Sequence, residues 1–172
     1  MAVHLPLSVA AQEEARTLMA ATGNLLKPAN GDPIVSPRMD MVLGGFWMTK
    51  DMDGEKGEGG AYASPNHAIL AYDFDHISMR AKIKVLPTDS EKYTKFDGKL
   101  FETTVGRLLF NAILPSDFPF MNEEITAKKM SKIVDEAIVR YGIAGAPTII
   151  DKIKNFGYTY ATRSGTTWGL DN

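Results

Sequence analysis

No cysteine occurs anywhere in the 172 residues, which excludes disulfides, thiolate nucleophiles and cysteine-ligated zinc together. No apolar run is long enough to span a bilayer. The first residues lack a basic stretch followed by a long apolar one, so no signal peptide is expected and a cytoplasmic setting is the default. An excess of either charge is missing too: 19 Lys and Arg face 21 Asp and Glu, a formal net charge of −2. A free-standing nucleic-acid binder normally gathers a basic excess on one face, so any nucleic acid must be held mainly by other parts. There is no internal repeat, no low-complexity tract and no Gly-x-Ser-x-Gly nucleophile elbow.

What is present is an ordinary globular composition, 44% hydrophobic and 23% charged, and a length that suits one domain with a small subdomain. Ser8 can cap a helix with Gln12, Glu13 and Glu14 in its first turn and Ala11, Ala15, Leu18 and Met19 on one face; Gly23 stops it. Residues 26–37, with Pro28, Pro33, Pro37 and the Asn30-Gly31 turn signal, must run as turns and short extended pieces. Ser36-Pro37 reads as a cap and first-turn proline for a second helix through Met39, Val42, Leu43 and Phe46, loosened by Gly44 and Gly45. Residues 51–60 read as a mobile polar loop, and Ser64-Pro65 opens a short helix.

Residues 77–85 alternate strictly, with Ile77, Met79, Ala81, Ile83 and Val85 on one side, and predict a strand. Asp97-Gly98 suggests a hairpin turn, and 103–114 a mostly buried strand ended by Pro115. Met130, Ile133, Val134, Ala137, Ile138 and Tyr141 then form a helical stripe, capped by Thr126 or Asn122 and stopped by Gly142, and Pro147 starts a further helix. The expected class is α+β, helices flanking a small antiparallel sheet.

Two carboxylates and an imidazole within Tyr72-Asp73-Phe74-Asp75-His76 could hold a hard cation, although a charged connecting loop needs no metal. Asp51, Asp53, Glu55 and Glu58 imitate a calcium loop, but its glycine is misplaced and its twelfth position is Tyr62. Lys128, Lys129 and Lys132 could touch phosphate or form a solvated helix face. His4 and His67 have no readable partner. Composition and spacing alone name no active site.

A collinear set of motifs carries a resemblance. Met1-Ala2-Val3-His4-Leu5-Pro6-Leu7 resembles the stretch that follows the Asn-Ala-Asp-Phe-Asp-Gly-Asp-Gln metal motif in the largest catalytic subunit, β′, of bacterial DNA-directed RNA polymerases. Ala11-Gln12-Glu13-Glu14-Ala15-Arg16, Pro28-Ala29-Asn30-Gly31-Asp32-Pro33-Ile34-Val35 and Asp40-Met41-Val42-Leu43-Gly44 follow in that family's order. So do Ala81-Lys82-Ile83-Lys84-Val85, Thr103-Thr104-Val105-Gly106-Arg107 and Tyr160-Ala161-Thr162-Arg163-Ser164-Gly165. Together the matches cover essentially the whole chain.

The resemblance implies a segment that walls the pore, or secondary channel, through which nucleotides reach the active centre. It implies a pore-like region at 1–115, with the loop at 51–60, and a helical region at 116–172 leading toward the channel funnel. Met1 and His4 would lie near the active centre, and Pro33, Pro37, Arg38, Met39 and Asp40 would line the channel. Met39 stands where the family often has glutamine; Arg38 offers a charge instead, and core packing of Met39 is the alternative. No catalytic or metal-binding residue is carried over. The motif's aspartates are absent and Mg²⁺ would be bound upstream of Met1, so the chain alone should be inactive. Asp73-Phe74-Asp75 copies two letters of the motif but lies too late.

The implied partners are the remainder of β′, the β subunit and the other polymerase subunits. Nucleotides, RNA and DNA would be met only in the assembled enzyme, cleavage factors could enter the channel, and no membrane is involved. Two rival readings remain at this point: a small metal-dependent hydrolase built on Asp73, Asp75 and His76, and a free-standing RNA- or protein-binding module.

Overall fold

A computed structural model describes residues 2–167. It is α+β, with five α-helices and a three-stranded sheet among the described residues. Ser8 caps α1 (Val9–Glu14), its side chain accepting from Ala11 N–H. A π-helical stretch (Ala15–Met19) and a 3-10 turn (Ala21–Gly23) continue it. Helix α2 (Asp40–Thr49) follows, then β1 (Ala61–Tyr62) and α3 (Pro65–Asp73), which Ser64 caps by accepting from His67 N–H, as expected. The remaining elements are β2 (Ile83–Val85), β3 (Phe101–Thr103), α4 (Val105–Ile113) and α5 (Ala127–Ser164).

The sheet is mixed. Its order is β1-β2-β3; β2 and β3 are antiparallel, as expected, whereas β1 lies parallel to β2. The alternation at 77–85 is real, since Ile77, Met79, Ala81, Ile83 and Val85 are all buried. Only its last three residues form a strand. The earlier ones bond to the irregular 51–60 loop instead: Ser78 N–H to Lys56 C=O, Gly59 N–H to Lys82 C=O, and Met52 N–H to Arg80 C=O. That loop is therefore no free connection. Lys82 bridges Asp51 and Asp53, Arg80 pairs with Glu55, and Gly54 N–H donates to Glu58 Oε2 at 2.6 Å.

The strand expected over 103–114 is mostly helix. Thr104 takes an extended conformation and accepts from Arg107 N–H, an N-cap that turns the chain from β3 into α4. Val105, Leu108 and Phe110 are then buried in a helix. An apolar run this dense is compatible with either period, and the cap decides. Asp97 and Gly98 both have positive φ, as a tight turn requires, but they join a 3-10 turn (Glu91–Phe96) to β3 and so make no hairpin.

Gly142 interrupts α5 with φ 66° and ψ −176°, a conformation open essentially to glycine, and thus acts as the expected stop. The second arm starts before Pro147, which lies inside it. The largest core cluster joins Phe110, Leu114, Phe118 and Ile125 to Met130, Ile133, Ala137, Ile149 and Ile153. It thereby ties α4 to both arms of α5, each of its Phe, Leu, Ile and Met side chains stabilising by roughly 1.5–3 kcal/mol. A second cluster packs α3 and α4 on the sheet around Ile83, Val85, Phe101 and Phe120. Among the described residues no helix is long and apolar enough to cross a membrane.

Candidate functional site

Residues 25–35 fold back on themselves. Lys27 N–H donates to Asp32 C=O, Gly31 N–H to Lys27 C=O and Ile34 N–H to Leu25 C=O, while the Asn30 amide holds the Asp32 carboxylate at 2.6 Å. Gly31 turns at φ +73°, which explains the Asn-Gly pair. Leu25 is buried against Val134, Ile138, Ala146 and Ile150 and anchors this turn to α5. The chain then runs to α2, and Ser36 Oγ lies 3.2 Å from Ser131 Oγ on α5.

Between these walls lies an open cleft of about 960 Å³. One wall carries Lys27, Asp32, Pro33, Ser36, Pro37, Arg38, Met39 and Val42. The other is one face of α5, where Lys128, Ser131, Lys132 and Asp135 recur at helical spacing. Lys27, Arg38, Lys128 and Lys132 outnumber Asp32 and Asp135, so the cleft is cationic although the chain carries a net −2. No ion pair engages those four cations among the described residues. Lys129, by contrast, points elsewhere and pairs with Glu123 at 2.7 Å. The lysine trio thus divides by helix face.

Four of the five residues singled out as channel-lining, Pro33, Pro37, Arg38 and Met39, stand in this one cleft. Asp40 does not line it; it opens α2. The expected cap at Ser36-Pro37 is displaced to Met39, with φ 50° and ψ −121°. Core packing of Met39 is overturned, since 87% of its surface is exposed at the cleft's edge. His4 is exposed on the segment before α1, and Met1 lies outside the described residues. Lys27 was missed because nothing local to it predicts the wall opposite.

The Asp73 to His76 run is a helix terminus. Asp75 has φ 58°, its N–H donates to Tyr72 C=O, and His76 N–H reaches back to Ala71 C=O, the paired bonds of a Schellman cap. Lys56 Nζ donates to the Asp75 backbone carbonyl and lies 3.2 Å from its carboxylate. Among the described residues no group of three or more His, Asp or Glu side chains could hold a metal ion.

A network of polar groups braces α2 against α4. Arg107 Nε donates to Thr49 C=O at 2.9 Å and its Nη2 reaches Asp51 at 2.7 Å, while Thr49 Oγ1 accepts from Ile125 N–H at 2.8 Å. Burial raises the Asp51 pKa, but its backbone hydrogen bond, Lys82 and Arg107 outweigh that and hold it below the ordinary 3.8.

Comparison with known proteins decides the family. Residues 24–172 match RNA polymerase Rpb1, domain 3. The chain belongs to that family. It is 44% identical over its whole length to the β′ subunit of DNA-directed RNA polymerase from Thermobifida fusca and 42% identical to that from Nocardioides sp.. Against the β′ subunit of Desulforamulus reducens it is 43% identical over 99% of the chain. The bacterial β′ resemblance thus holds, and this domain 3 chain spans about 14% of the length of each of those relatives.

Proposed function

We propose that this domain 3 chain forms one wall of the nucleotide-entry pore of a DNA-directed RNA polymerase and supports its active centre. The single observation behind the reading is the cationic cleft, which Arg38 lines together with Pro33, Pro37 and Met39 on one wall and Lys128 and Lys132 line on the other. Unpaired cations beside a path raise the local concentration of polyanions and speed their arrival, without contributing to the chemical step. Phosphoryl transfer would be carried by aspartates and Mg²⁺ held outside this chain, which alone would be inactive. Residues 1–115 would form the pore region and 116–172 the approach to the funnel. The setting is the cytoplasm, and the partners are the remainder of β′, the β subunit and the other subunits, with cleavage factors entering the same channel.

The test is steady-state RNA synthesis by polymerase reconstituted with this chain. Lys128→Glu with Lys132→Glu should raise the nucleotide KM and leave kcat nearly unchanged, with the defect shrinking as salt is added. Lys129→Glu, off the cleft, should do neither. An unchanged KM in the double variant would overturn the reading.

A further inference from the structure

We infer that the recess beside the C-terminal end of α4 is a binding site for a small aromatic carboxylate, held by the Lys92 ammonium. The recess measures about 400 Å³, within the range of roughly 300–1,000 Å³ usual for ligand sites. It is bounded by the start of α3, by residues 88–93 and by the C-terminal part of α4. Pro65, Ile69, Tyr93, Leu108 and Leu114 line it with apolar surface, and Asn66, Thr88, Ser90 and Ser116 add amide and hydroxyl groups. It shares no lining residue with the cationic cleft, so neither site's role depends on the other's.

Lys92 decides the charge of the ligand. Its Nζ donates to Asn111 C=O at 2.5 Å and to Leu114 C=O at 3.0 Å, two carbonyls at the end of α4. An ammonium has three N–H donors, so one remains. Both acceptors are neutral, and among the described residues no carboxylate lies in ion-pairing range of Lys92. Asp117 acts on it from further off, and the Asp117 carboxylate already accepts from the Tyr141 hydroxyl at 2.8 Å. Half-burial accordingly pushes the Lys92 pKa below the ordinary 10.5, with Asp117 offsetting only part of the effect. A partly desolvated positive charge with a spare donor on the wall of a recess calls for an anion.

The lining decides the rest. One cation balances one negative charge, and the apolar surface would leave a phosphate dianion poorly solvated. That selects a monoanion with an apolar body. The half-buried Tyr93 ring offers a surface on which an aromatic ring packs by offset stacking or edge to face. The carboxylate takes the spare Lys92 donor as a charge-assisted hydrogen bond.

The experiment is an NMR titration of the full, isotope-labelled chain with benzoate. Backbone amide signals of Asn66, Ser90, Tyr93 and Ala112 should shift saturably, with a Kd on the order of 1 mM. Benzamide, of the same shape without the charge, should bind about tenfold or more weakly. Lys92→Met, which keeps an apolar stem, should weaken benzoate to the same degree. Ala112 is exposed on the wall of the recess, and Ala112→Phe should fill the space and abolish binding even where Lys92→Met loosens the end of α4. Lys128→Glu with Lys132→Glu, in the cleft, should leave benzoate affinity unchanged. Shifts that persist in Ala112→Phe, equal affinity for benzamide, or no shift at about 10 mM benzoate would each overturn the site. Signals that move only around the cleft, and stop moving in the double lysine variant, would assign the anion there and overturn it as well.

Discussion

Gly44 and Gly157 meet where α2 crosses α5, so closely that a Cβ placed on Gly44 falls 1.9 Å from the Gly157 carbonyl oxygen. In the other direction, a Cβ on Gly157 falls 2.4 Å from the Met41 carbonyl oxygen. Both obstacles are backbone, which cannot swing aside as a side chain can. The glycines set the distance between the two helices that frame the cleft.

Gly44→Ala should therefore cost more than the roughly 1–3 kcal/mol usual for overpacking a core. At about 2–4 °C per kcal/mol for a chain of this size, calorimetry should register a large drop in Tm. Gly23→Ala, where the nearest atom would stand 3.5 Å away, should change little.

The Arg107–Asp51–Lys82 network gives stability a pH dependence. Because Asp51 titrates below its ordinary value in the fold, its contribution is present above about pH 4 and is lost as pH falls through the lower folded value. Urea midpoints of the unaltered chain and Asp51→Asn should differ at neutral pH and converge in acid. A gap that stays constant as pH falls from neutral into the acid range would contradict the assignment.

Met39 holds a backbone conformation that belongs to glycine, with φ 50° and ψ −121°. Such strain costs on the order of 1–3 kcal/mol, against roughly 1 kcal/mol of extra chain entropy for a glycine. Met39→Gly should leave chemical stability unchanged or raise it by about 1 kcal/mol, whereas the β-branched Met39→Val should lower it.

Asp75 sits at the left-handed position of the cap that ends α3. Asp75→Gly should keep the fold, because glycine suits that position better. Neither the chain nor the variant should gain melting temperature from millimolar Mg²⁺ or Mn²⁺. A metal-dependent rise that Asp75→Ala abolishes would revive the hydrolase reading.

These residues also show what could be read before folding. Ser8, Ser64 and Gly142 were legible because caps and stops are local chemistry. In sequence Gly44 only loosens α2, since its partner lies at Gly157, far along the chain. Thr104 hid the start of α4 inside an apolar run that fits a strand as well as a helix. The alternation at 77–85 reported burial faithfully, but pairing with an irregular loop kept most of it out of the sheet. At the cleft, Pro33, Pro37, Arg38 and Met39 came from family resemblance. Lys27 and the split of Lys128 and Lys132 from Lys129 needed the fold, because only the fold says which side of α5 faces the turn.

The measurement closest to the central claim is RNA synthesis from a polymerase whose β′ is supplied in pieces, with this chain as one of them and the metal-motif piece as another. The account predicts synthesis that requires this chain and is lost when it is left out. Assembly of a control split β′ pair under conditions where this chain neither associates nor restores synthesis would contradict it.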